Sequence, residues 1–123
     1  MIEHHGFLIS AAEYNSSISG VLKNTIDWAS RAERDDEPPL VCFDRKRAAL
    51  MSASPGALGG LRGLVHVRAI LGNVGVFVLP DQVCIPKAHE AFDEGGKLRE
   101  ARKEKAVCDL ARSLVDVTRR LIG

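Results

Sequence analysis

Residues 7–31 read FLISAAEYNSSISGVLKNTIDWASR, and three kinds of sequence follow one another there without a spare residue. Phe7, Leu8 and Ile9 form a continuous apolar run of strand length, backed by the small residues Ser10, Ala11 and Ala12; this is the pattern of a parallel strand buried on both faces. Glu13, Tyr14, Asn15, Ser16 and Ser17 then break the pattern with groups that hydrogen-bond and accept turn geometry. From Ile18 onward, Ile18, Val21, Leu22, Ile26 and Ala29 recur at helical spacing, with Ser17 or Ser19 as the N-cap. Open α/β sheets place ligands at a polar loop between a parallel strand's carboxyl end and a helix N-terminus, because free N–H groups and the positive end of the helix dipole meet there.

Downstream, the polar stretch Ala32–Arg47 contains Pro38 and Pro39, which forbid a helix across them. It reads as a loop with a short extended piece around Leu40–Phe43, its charges on a solvated face. Arg47–Ala53 resumes a strand pattern and runs into Ser54, Pro55, Gly56, Gly59 and Gly60. This glycine-rich loop fits neither G-x-G-x-x-G nor the phosphate-loop pattern, so on spacing alone it is a weak ligand signal. Ala57, Leu61, Leu64, Val67 and Leu71 then line one helical face, with His66 on the outer side and C-cap chemistry at Gly72 and Asn73. Val74–Leu79 reads as a β-branched strand ended by Pro80, and Gln82–Gly96 as irregular. Leu98–Leu121 is a long helix with the stripe Val107, Leu110, Ala111, Leu114, Val117, Thr118 and Leu121. The pattern is β-α-β-α-β-α, three parallel strands with helical crossovers.

At 123 residues the chain is one domain, residues 1–123, long enough for a core but short for a complete five-stranded doubly wound sheet. Hydrophobic residues at 46% and charged residues at 27% describe a globular chain, and a net charge of +1 with interspersed signs carries no nucleic-acid footprint. No apolar run approaches the roughly 20 residues that span a bilayer, and MIEHHG lacks the features of a signal peptide; the expectation is a cytoplasmic protein with no membrane partner. Cys42, Cys84 and Cys108 have neither disulfide-framework nor zinc-ligand spacing and read as free thiols. His4 and His5, adjacent on an extended segment, point to opposite faces, so no metal site is expected.

AEYNSSISGVLKNTIDW resembles the PEYN-x-S-x-PG-x-LKN-x-IDW signature of the NAD(P)H-dependent FMN reductases, a flavodoxin-like family that includes quinone, azo-dye and chromate reductases. ALMSASPGALGG, residues 49–60, is similar to that family's later flavin-facing loop. Ala12 and Ser19 stand where the family has proline, and neither change removes a chemical side chain. The resemblance covers nearly the whole chain but only the C-terminal part of a family member. It implies a flavodoxin-like three-layer α/β/α fold carrying strands 3, 4 and 5 of the order 2-1-3-4-5, without the serine- and arginine-rich phosphate loop that follows the first strand.

The resemblance also implies the chemistry: hydride passes from a nicotinamide, NADH or NADPH, to FMN and on to a quinone, flavin or similar small-molecule acceptor. The backbone of Glu13, Tyr14, Asn15, Ser16 and Ser17 would hold the flavin's pyrimidine edge, with Tyr14 beside the ring. Ser54, Gly56, Gly59 and Gly60 would bring the second loop against it. No protein side chain is expected to be catalytic, because the flavin does the chemistry. Lys87 and His89 are candidate substrate or interface groups. Trp28 is a candidate contact of a homo-oligomer, its alternative being the monomer core. With one side of the crevice missing, the FLIS strand is expected at a sheet edge that favours oligomers, and FMN is expected to bind weakly or not at all if the chain is complete. Two other readings stand beside the enzyme: an inactive, oligomer-forming remnant with a partial flavin site, and a flavodoxin-like electron carrier, disfavoured because such carriers are acidic.

Overall fold

The computed structural model describes residues 1–122. A parallel sheet of β1 (Gly6–Ser10), β4 (Arg47–Ala53) and β5 (Phe77–Ile85) has the order β1-β4-β5. Between β1 and β4 lie a miniature hairpin, β2 (Glu13–Tyr14) with β3 (Ser17–Ile18), and the helix α1 (Gly20–Ala29). Helix α2 (Leu61–Asn73) joins β4 to β5; the one-turn α3 (Ala88–Ala91) and the long α4 (Ala101–Ile122) follow.

The alternation of side chains along β4 makes the three layers. Ala48 and Leu50 point to one face, where they pack with Ile26 of α1 and Leu64, Val67 and Leu71 of α2. Ala49 points to the other, where it meets Leu110 and Leu114 of α4. Ala48, Ala49 and Leu50 are fully buried, as expected of the central strand of a doubly covered sheet. At the other end of the burial scale, β1 pairs with β4 alone, and its Leu8 is 43% exposed. β1 is thus an edge strand among the described residues, as expected of the FLIS strand, but its apolar run is not buried on both faces.

Several local expectations are corrected. Pro80 does not end the last strand. Ala48 pairs with Val78 and Leu50 with Gln82, so β5 carries extra residues opposite β4, and the proline sits in that bulge, where no ladder N–H is needed. The strand begins at Phe77 rather than Val74, because α2 runs to Asn73 and closes in a Schellman turn. Val76 N–H donates to the Leu71 carbonyl at 2.9 Å and Gly75 N–H to that of Gly72 at 3.1 Å. The left-handed residue of this cap is Gly75, at φ +85°, not Gly72 or Asn73. Leu40–Phe43 is not extended: Phe43 and Asp44 N–H both donate to the Leu40 carbonyl, a coil that drives the Phe43 ring into the core against Phe7. Of the region expected to be irregular, Gln82–Ile85 continues β5 and Ala88–Ala91 is α3.

The three cysteines are free thiols, and no group of potential metal ligands gathers among the described residues. No helix among them is long and apolar enough to cross a membrane.

Candidate functional site

Because the sheet strands are parallel, with Ser10 paired to Met51 and Ala53 to Ile85, all three chain exits from the sheet lie at one edge. The two loops singled out in the sequence leave from there. In the first, Tyr14 pairs with Ser17 across a two-residue turn whose central residues, Asn15 and Ser16, both have positive φ (51° and 65°). Hairpins favour that turn because its twist matches the strands, and asparagine tolerates it better than most residues. The turn holds Tyr14, Asn15 and Ser16 out in solvent. Ser19, not Ser17, caps α1: its Oγ accepts from Leu22 N–H at 3.2 Å.

The second loop is built by close approach. Ser52 Oγ donates to the Gly59 carbonyl at 2.6 Å in the interior. A Cβ on Gly59 would stand 2.7 Å from Pro86 N, and one on Gly60 2.7 Å from the Ser52 side chain; both glycines have positive φ. Gly56 is different: a Cβ there would meet only Ser54 Oγ, at 3.7 Å, so its surface is open. The chain after β5 is stitched to the same loop. Lys87 N–H donates to the Gly56 carbonyl at 3.3 Å and Ala88 N–H to that of Ser54 at 3.0 Å. Lys87 thus lies beside the second loop with its side chain exposed, whereas His89 is an exposed residue of α3 whose Nε2 is 3.2 Å from Glu90 Oε1.

The two loops meet through Glu13. Its Oε1 accepts from Arg62 Nη2 at 2.8 Å and Nε at 3.1 Å, and its Oε2 accepts from Gly63 N–H at 3.2 Å. Gly63 is the third residue of α2, the place an N-cap side chain usually serves. The cap position of α2 is Gly60, which has no side chain to offer. Glu13 therefore supplies, from another loop, both the missing acceptor and a negative charge at the positive helix end. Partial burial alone would raise the Glu13 pKa; the Gly63 N–H and the Arg62 guanidinium outweigh it and hold the carboxyl below the usual carboxylate range. Glycine at position 63 suits the same closeness, since a Cβ would be a tight 3.1 Å from the Ser17 carbonyl. A second tie runs from His66 Nδ1 to Ser17 Oγ at 2.7 Å, so His66, read from sequence as a surface residue, is exposed but engaged.

The Glu13 side chain is only 8% exposed and both its oxygens are occupied, which leaves its backbone, not its carboxylate, for any ligand. Trp28 stands apart from the loops. It is 73% exposed, which overturns the core alternative for it, and with Ile2, Arg31, Glu37 and Cys42 it borders an open cleft of about 460 Å³. Neither Arg62 nor Gly63 was among the candidates from sequence; the signal was there only as a glycine in the first turn of a helix with no capping side chain.

A flavin ring suits this edge in kind. Asn15 and Ser16 present a solvent-exposed turn backbone, Tyr14 offers an exposed aromatic face, and Gly56 leaves room for a planar group. The loop positions are fixed by contacts that do not use those surfaces.

The family described as NADPH-dependent FMN reductase matches residues 1–90. An NAD(P)H-dependent FMN reductase of Pseudomonas aeruginosa is 38% identical over 117 residues, which cover 94% of this chain and 60% of that protein. A protein named probable NADPH:quinone oxidoreductase 2, from Oryza sativa subsp. japonica, is 35% identical over 120 residues, covering 95% and 55%. Among solved structures, the flavoenzyme NAD(P)H:(acceptor) oxidoreductase FerB of Paracoccus denitrificans superposes with a TM-score of 0.77 at 25% identity, over 97% of this chain and 63% of that one. The chain thus spans about three-fifths of the length of these relatives. With a parallel α/β sheet, two loops joined at its carboxyl edge and a family match over most of its length, the chain belongs to the NADPH-dependent FMN reductase family.

Proposed function

We propose that this chain carries the ring-facing part of an FMN site and serves an NAD(P)H-dependent oxidoreductase that reduces a small molecule, a quinone or a flavin. The observation that carries the reading is the union of the two loops at the sheet's carboxyl edge, with Glu13 bonded to Gly63. FMN, when bound, supplies the two-electron chemistry. The backbone of Glu13–Ser17 would bind the ring's polar edge, and Tyr14 would flank its face. Gly56 would let the second loop approach, with Ser54, Gly59 and Gly60 holding that loop in shape, and the N-terminus of α1 would favour negative charge nearby. Lys87, hydrogen-bonded through its backbone to the Gly56 carbonyl, would meet an acceptor at the second loop; His89 remains a candidate for that role or for an interface.

The reading is tested by oxidation of NADPH and NADH by this chain with added FMN and benzoquinone as acceptor. It expects a rate above that of free FMN. A rate equal to free FMN, with no flavin bound, would contradict it.

The same reading includes a homo-oligomer that uses the edge of β1 left unpaired among the described residues and the exposed indole of Trp28, since unpaired edges recruit strands and large aromatics anchor interfaces. Sedimentation should show a species larger than a monomer at micromolar concentration, reduced by Trp28→Ser; a stable monomer would contradict it.

A further inference from the structure

Glu13 does something that no ring-binding role requires. It is a carboxylate with both oxygens committed, bonded across 49 and 50 residues of sequence to the first turn of α2. The helix it caps follows directly on the second loop, because Gly60 is both the end of that loop and the N-cap of α2. Moving the hairpin away from α2 would break the Gly63 bond, leave that N–H to water and separate Glu13 from Arg62. Each of these opposes loosening of one loop relative to the other.

We propose that Glu13 is a positioning residue for the flavin site: by capping α2 in trans it holds the hairpin and the glycine loop in one relative placement before any ligand arrives. This rests on the flavin reading above, and extends it from the groups that touch the ring to the one that aligns them. A site already formed binds with its intrinsic affinity, while one formed in a fraction of molecules binds weaker by that fraction. The alignment concerns the ring-facing loops alone, so a loss of Glu13 should weaken riboflavin and FMN by the same factor.

The test uses the full chain and the variants Glu13→Ala, Glu13→Gln and Arg62→Ala, all read at a temperature where circular dichroism shows them folded. In the first arm, riboflavin and FMN are titrated by fluorescence. Glu13→Ala should bind both about tenfold more weakly, which is 1.4 kcal/mol. Glu13→Gln should fall between, because one amide oxygen can serve either Gly63 or Arg62 but its NH2 group must then face a donor. Arg62→Ala should cost less, about threefold, since the guanidinium is 57% exposed and solvent screens it.

In the second arm, amide hydrogen exchange is followed without ligand. The Gly63 N–H should exchange at least tenfold faster in Glu13→Ala than in the native chain, while Val67 and Leu71 in the body of α2 stay unchanged. A role confined to global stability would move all α2 amides together and leave flavin affinity intact in the folded protein; that result overturns the proposal. Failure of the native chain to bind either flavin would overturn the flavin reading, and the exchange arm would still decide the alignment: unchanged Gly63 protection in Glu13→Ala overturns it, and selective loss supports it.

Discussion

Arg68 of α2 donates from Nη1 to the Leu79 carbonyl at 2.7 Å, at the point where β5 leaves register with β4. The same guanidinium donates from Nη2 to Gln82 Oε1 at 2.9 Å, on the far side of the bulge. A bulge frees backbone groups from the ladder, and here a side chain from the neighbouring helix takes them up. Arg68→Met keeps the apolar stem and removes the fork. It should lower stability to urea by about 1.5–3 kcal/mol, the range for hydrogen bonds to a charged group. A loss under about 0.5 kcal/mol would mean that the bulge holds without it.

Gly60 and Gly75 both sit at positive φ, at +89° and +85°, but in different surroundings. A Cβ on Gly75 would meet nothing within 4 Å; one on Gly60 would strike Ser52 at 2.7 Å. Gly75→Ala therefore pays only the left-handed backbone, about 1–2 kcal/mol. Gly60→Ala adds a steric displacement of Ser52, whose hydroxyl holds the Gly59 carbonyl, and should cost more than Gly75→Ala and displace the second loop. Equal losses of melting temperature for the two variants would show that the Gly60 neighbourhood yields freely.

Glu13 gives the fold an acid dependence with a definite sign. Its folded pKa lies below the ordinary glutamate value of 4.5, so its contribution is complete above that value and is lost as pH falls through the folded pKa. The groups facing it are the Arg62 guanidinium and the Gly63 N–H, with His66 nearby on Ser17. The difference in melting temperature between the native chain and Glu13→Gln should be constant from pH 7 to about 5 and shrink below 4.5. A difference that stays constant down to pH 3 would contradict the bond geometry.

What the sequence made legible was whatever is periodic. Arg47–Ala53 is observed with the bounds read from its residues, and Leu110 and Leu114 are the buried positions of the long stripe in α4. What escaped depends on residues far apart in the chain. Pro80 reads as a strand end until Arg68 is seen to satisfy the bulge around it, and Glu13 reads as a polar turn residue until Gly63 arrives 50 positions later. The C-cap was misplaced by a shorter reach: a Gly–Asn pair at residues 72–73 is a usual stop, but the Val76 N–H closes onto Leu71 and moves the left-handed position to Gly75. Helical spacing in α1 grouped Val21 with Ile26, yet Val21 is 78% exposed, because five residues along a helix set it about 140° round the axis from Ile26, while Leu22, Ile26 and Ala29 pack on the core.

The central claim, that the hairpin and the glycine loop together form a flavin-ring site, is tested most directly by following the backbone amide resonances of this chain during titration with riboflavin, with FMN in parallel. The account predicts saturable shifts concentrated at Tyr14–Ser17 and Ser54–Gly60. Riboflavin should bind within about threefold of FMN, or 0.65 kcal/mol, because the groups that fit a ligand at this edge face the ring. Shifts concentrated around Trp28 and Cys42, or no saturable shifts with either flavin, would contradict the claim. Tight FMN binding with riboflavin a hundredfold weaker would show that a phosphate anchor, and not the two loops, dominates the site.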